Sequence, residues 1–219
     1  MIHLNKRINL SKDVATHNLK SLGILENSSQ VVVALDASKS MYALYRDGQI
    51  QALLERLLGF AMAMDKDKSF DLYLFGNQAV KLKPLTEQSI EDYVSREIIG
   101  THKINQATNY APVIESVNND FFGTKDPVLV LFITDGDASD KKDTQAWITQ
   151  VCRQPYFFQF VGIGNEQFAF LEKLDELKGR PVDNAGFFKA RDIEKLSNDE
   201  LVSSLLTEYP LWLKTAKLK

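Results

Sequence analysis

The chain has 219 residues, which suits one domain with room for a sizeable core. Its 44% hydrophobic and 25% charged residues are an ordinary soluble balance, and a formal net charge of -3 removes the electrostatic case for nucleic acid or an anionic membrane as partner. The single cysteine, Cys152, excludes an internal disulfide and reads as a small buried apolar residue rather than a nucleophile.

The opening MIHLNKRINLSKD lacks the apolar core of a signal peptide, and no stretch approaches the ~20 apolar residues of a membrane span. A cytoplasmic setting is therefore the default expectation.

In chain order, SKDVATHNLKSL (11–22) predicts a helix with Val14, Leu19 and Leu22 on its apolar face and Ser11 as N-cap. SQVVVALD (29–36) is apolar until its last residue, as expected of a central parallel strand covered on both faces. QIQALLERLLGFAMAM (49–64) has helical spacing. SFDLYLF (69–75) and QAVKL (78–82) flank Gly76-Asn77, a hairpin signal, so the second strand is expected at an antiparallel edge, where Lys81 and Lys83 are suitable.

Residues 86–96 predict a helix, and IIGTHKINQATN (98–109) a polar loop leading to a helix near Tyr110, with Pro112 in its first turn. PVLVLFITDG (127–136) is a second apolar strand ending on an acid. A helix at 143–152, a strand at 156–164, a helix near 167–178 and a short strand at 186–190 follow. Ser197 and Glu200 form a capping-box signature before LVSSLL; Pro210 then interrupts, and LWLKTAK makes a final short helix. The alternation predicts an α/β fold: a Rossmann-like, mostly parallel sheet with one antiparallel edge strand and helices on both faces. Residues 1–28 read as an N-terminal helical extension and 29–219 as the domain.

In such sheets ligands bind beyond the carboxyl ends of the strands. Two strands carry acids there, Asp36 and Asp135. Asp36-x-Ser38-x-Ser40 offers a carboxylate and two hydroxyls from one turn, an oxygen set that suits a hard divalent ion, Mg²⁺ above all. Because hydroxyls are neutral, such a site leaves the ion enough positive charge to accept an incoming carboxylate. On its own, the same stretch also fits a strand-to-helix turn in which serine caps the next helix.

D-x-S-x-S at the end of the first core strand resembles the metal-ion-dependent adhesion site of von Willebrand factor A (VWA) domains. That family also has a threonine on a distant loop before a helix, matched by Thr108 in QATNYAPV, and an aspartate commonly in T-D-G, matched by Asp135 in ITDGD. The resemblance spans roughly residues 29–190. T-N-Y-A-P and LSNDELVSSLLTEYPLWLK look like the bacterial tellurite-resistance (TerF-like) branch, related to copines.

The resemblance implies that Ser38 and Ser40 coordinate the metal directly, that Asp36 and Asp135 do so directly or through water, and that Thr108 alternates between the two. It implies Mg²⁺, with Mn²⁺ or Ca²⁺ as substitutes, and a protein partner that presents an Asp or Glu to the metal. The setting implied is bacterial stress or defence, and the role that of a binding module rather than an enzyme.

Two positions depart from the pattern. Lys39 stands where many relatives have glycine, and Ala107 precedes Thr108 where glycine is usual. Lys39 is open to three roles: weakening the site, pointing outward, or pairing with the partner's acid.

Asp137 and Asp140 read as solvated loop acids or helix caps. His3, His17 and His102 are too far apart for a metal spacing, and Trp147 and Trp212 read as core. Two other functions remain. A haloacid-dehalogenase-type phosphotransferase also has an aspartate after its first strand, but it wants a second acid where Ser38 stands. The other is a VWA scaffold with a weakened metal site.

Overall fold

The computed structural model describes residues 2–25, 28–104 and 106–216. Met1, Glu26 and Asn27 of the expected extension, Asn105 of the expected loop and Lys217 of the expected last helix lie outside the described residues.

A six-stranded sheet organises the chain in the order β3-β2-β1-β4-β5-β6. The strands are β1 (Gln30–Asp36), β2 (Asp71–Phe75), β3 (Ala79–Lys81), β4 (Val128–Thr134), β5 (Tyr156–Ile163) and β6 (Ala185–Ala190). All neighbours pair in parallel except β2 and β3. The expected antiparallel edge strand is thus present. β4 and β5 are buried along their whole length and β1 from Val31 onward, which explains why they read as unbroken apolar runs.

The helices are α1 (Ile2–Ser21), α2 (Tyr42–Arg46), α3 (Gln49–Met64), α4 (Ala111–Asp120), α5 (Lys141–Gln150), α6 (Ala169–Asp175), α7 (Asn198–Leu205) and α8 (Tyr209–Thr215). Two apolar clusters form, one on each face of the sheet. Val31, Val33 and Leu35 of β1 point into the cluster with α1, α3, α7 and α8; Val32 and Ala34 point into the cluster with α4, α5 and α6.

Three local expectations are corrected. α1 begins nine residues before Ser11, so Ser11 is not a cap: it lies buried in mid-helix and its Oγ donates to Arg56 O at 2.7 Å. The buried face of α1 is Leu4, Ile8, Ser11, Ala15 and Leu19, whereas Leu22 is exposed. Small residues occupy its middle because α3 comes so close: a Cβ on Gly59 would lie 2.4 Å from Ile8 O. The helix expected at 86–96 is instead a series of turns followed by a single π-helical turn, Val94–Ile99. Asp92, with φ of 51°, interrupts the run. Cys152 is buried just past the end of α5.

At the carboxyl end, Ser197 and Glu200 form the expected capping box on α7, and Pro210 sits in the first turn of α8.

Candidate metal centre

Strand order reverses between β1 and β4: the chain leaves β1 toward β2 on one side and β4 toward β5 on the other. A crevice outside the carboxyl ends at such a switch point is where open α/β sheets bind ligands. Asp36 is the last residue of β1, and Asp135 directly follows β4. Leu35 pairs with Ile133, so Asp36 lies level with Thr134 and Asp135 one residue beyond it on the neighbouring strand end.

All five residues expected at the site meet there. Ser40 Oγ donates to Asp135 Oδ1 at 2.7 Å, Ser38 Oγ approaches the same oxygen at 3.5 Å, and the two hydroxyls are 3.1 Å apart. Thr108 Oγ1 donates to Asp36 Oδ2 at 3.3 Å. Asp36 Oδ1 accepts the Ser38 N–H at 2.7 Å, a tight turn that folds the D-x-S-x-S segment back over the strand end. Asp36, Ser38 and Thr108 are buried; Ser40 is exposed and Asp135 half-buried. The site therefore has a buried floor and an open outer side.

The sequence reading left out one functional residue, Thr134, the first letter of T-D-G. Its Oγ1 donates to Asp36 Oδ2 at 2.6 Å, shorter than the contact from Thr108. Two tyrosines brace the floor. Tyr45 OH donates to Asp36 O at 2.8 Å, and Tyr110 OH to Gly136 O at 2.6 Å. Beneath, Tyr110 packs edge-on against Phe75 and Phe132.

Asp140 caps α4 across space: its carboxylate accepts the Tyr110 and Ala111 N–H groups at 3.1 and 2.8 Å. Asp137 accepts the Phe170 N–H at the start of α6 and pairs with Lys141 at 3.0 Å. Both acids thus bond backbone N–H groups at helix starts. Lys39 is exposed, and none of its side-chain contacts appears among the ion pairs of the described residues.

Burial pushes the Asp36 carboxyl up to about 6 despite its hydrogen bonds, and burial also raises Asp135. The charges that act on the two acids are themselves acidic: Asp135 raises Asp36, and Glu166 raises Asp135. Two carboxylates and three hydroxyls, all hard oxygen donors and short of positive charge, fit a divalent cation. Among the described residues no three His, Cys, Asp or Glu side chains are grouped so as to hold a metal ion by themselves, so any ion here depends on the hydroxyls.

An uncharacterised Bacillus subtilis protein, YcbR, is 35% identical over 217 residues, 97% of this chain and 88% of the relative. Among solved structures, proximal thread matrix protein 1 from the mussel byssus, determined with a zinc-occupied MIDAS motif, superposes with a TM-score of 0.59 at 15% identity. It aligns with 83% of this chain, which spans 46% of that protein's chain. Manganese-loaded TRAP of Plasmodium vivax gives a TM-score of 0.58 at 18% identity over 83% of this chain and 73% of its own. At such identities these two show the shared fold. The family model described as the vWA found in the TerF C terminus matches residues 28–219, and the chain belongs to this vWA-TerF-like family of von Willebrand factor A domains.

Proposed function

We propose that the chain is a metal-dependent protein-binding module. VWA domains generally serve as interaction modules, and the observation that carries the reading is the meeting of Ser38, Ser40 and Asp135 within 3.5 Å, above a buried Asp36. Ser38 and Ser40 would hold Mg²⁺ directly, with Asp36, Thr108 and Asp135 completing its shell directly or through water; Mn²⁺ or Ca²⁺ would substitute. When bound, the ion supplies a Lewis-acidic charge that takes an Asp or Glu carboxylate from the partner. The chain's own part is to hold the hydroxyls on one turn and leave the outer side open.

Membership of the TerF-like family supports a bacterial stress or tellurite-resistance setting and a cytoplasmic location. Among the described residues no helix is long and apolar enough to cross a membrane. Residues 1–28 would be an extension packed on the domain, since α1 lies along α3 and α7.

A phosphotransferase of haloacid-dehalogenase type is disfavoured by Asp36 itself. Its carboxylate is fully buried and engaged by Ser38, Thr108 and Thr134, so it is not presented as a nucleophile.

The test is a thermal melt with Mg²⁺ or Mn²⁺. Wild-type protein should melt higher with the ion, and both Asp36→Ala and the solvent-facing Ser40→Ala should lose that shift. An unchanged wild-type melt would sink the metal reading. Turnover of a chromogenic phosphate ester with Mg²⁺, lost in Asp36→Asn, would replace it with the enzymatic one.

A further inference from the structure

The threonine of the site stands on an irregular segment. Irregular backbone holds a side chain in place only when its own polar groups are engaged. Around Thr108 they are. Gln106 N donates to Ala37 O at 3.1 Å, Ala107 N to Asn77 Oδ1 at 3.0 Å, and Asn109 N to Gly76 O at 3.1 Å. From the other side, Ser139 N donates to Thr108 O at 2.7 Å.

Two of these acceptors belong to Gly76-Asn77, the turn between β2 and β3. Two further contacts join the turn to the segment. Asn77 N donates to Gln106 Oε1 at 3.2 Å, and Asn77 O accepts from Asn109 Nδ2 at 3.4 Å. The connection has three residues, Gly76, Asn77 and Gln78, rather than the two expected, and neither Gly76 nor Asn77 has the positive φ for which a two-residue hairpin selects Gly or Asn. Close approach explains the glycine: a Cβ on Gly76 would lie 2.4 Å from Gln106 Cβ. Asn77 is exposed and adds nothing to the core; its side chain is engaged with the Thr108 segment.

We propose that Asn77 and Gln106 are positioning residues of the metal centre, which fix the segment carrying Thr108 and so set how tightly the site takes a divalent cation. This rests on the metal-site reading above. Groups one layer outside a metal's ligands orient those ligands, and their loss typically costs 10–100-fold in affinity. Ala107 precedes the ligand, so losing its acceptor frees the backbone that aims the Thr108 hydroxyl.

The test uses the full chain and Mn²⁺ as the probe, with uptake followed by loss of the free-ion electron paramagnetic resonance signal. Hydrogen exchange of the Ala107 amide in metal-free protein provides a second readout. Asn77→Leu removes the acceptor and should weaken Mn²⁺ binding about tenfold while speeding Ala107 exchange. Asn77→Asp retains the acceptor and should keep Ala107 protected, read without metal so that its added charge does not act through an ion. Wild-type protein that takes up no Mn²⁺ removes the metal reading and this proposal together. Wild-type uptake with Asn77→Leu binding within about twofold of it removes the positioning role alone, as does Asn77→Asp exchanging as fast as Asn77→Leu. If Asn77→Leu fails to fold without metal, Gln106→Leu, which removes the acceptor of the Asn77 N–H, replaces it under the Mn²⁺ criterion: binding within about twofold of wild type removes the positioning role.

Discussion

Thr134, the last residue of β4, donates a 2.6 Å hydrogen bond to Asp36 Oδ2 at the end of β1. The contact joins two neighbouring strands through side chains at the floor of the site. Thr134→Val keeps the shape and removes the donor, leaving a fully buried carboxylate short of its closest partner. We expect a loss of about 1–3 kcal/mol in metal-free stability, measured by urea unfolding in the presence of a chelator.

Glu208 predicts a pH dependence remote from the metal centre. Burial and the neighbouring Asp175 and Asp183 push its carboxyl up to about 7 from an ordinary 4.5, with Arg180 opposing. An acid with a raised folded pKa binds more protons folded than unfolded. It therefore favours the fold below pH 4.5, and that contribution is lost as pH rises through about 7. Asp36, raised to about 6, finishes its own loss sooner. Glu208→Gln should flatten the fall in melting temperature between pH 6 and 8 in metal-free protein; an unaltered slope would contradict the assignment.

Gly59→Ala tests whether α1 is integral to the fold. The new methyl would lie 2.4 Å from Ile8 O and 2.8 Å from Lys12 N, backbone atoms that cannot yield without moving the helix. Overpacking of this kind costs about 1–3 kcal/mol, so the variant should melt several degrees lower, and α1 amides should exchange faster than those of β4.

Lys39 stands between the two serines of the site, and its side chain is exposed. Solvent and salt screen an exposed charge. Lys39→Ala should change Mn²⁺ affinity by less than about threefold at 0.15 M salt, measured by titration; a tenfold gain would mean that the ammonium sits against the ion.

The strands were legible because β1, β4 and β5 are covered on both faces and must be apolar throughout. The residues of the candidate site were brought together because Asp36 and Asp135 stand at the ends of neighbouring strands and Ser38 and Ser40 lie on the turn that follows β1. α1 was misread because its buried face runs through Ser11 and Ala15, small residues chosen for close approach rather than apolar bulk. Residues 86–96 misled in the opposite sense. Ile90, Val94 and Ile98 are buried at helical spacing, but the left-handed Asp92 breaks the path between them. Thr134 was passed over because a threonine at the end of a strand looks like any β-branched core residue; only the position of Asp36 across the strand pair reveals its hydroxyl at work.

Asp36 and Thr134 are 98 positions apart in the chain, and Ser38 and Asp135 are 97 apart. No local fragment contains the site. It comes into being only once β1 and β4 have paired, a non-local contact that must first overcome the entropy of closing a long loop. A cation taken up there, as proposed, would recognise the finished protein and not its unfolded chain, and would raise stability by mass action. The ion's availability would then act as a check on folding quality: an incompletely paired copy would present no acceptor for a partner's acid.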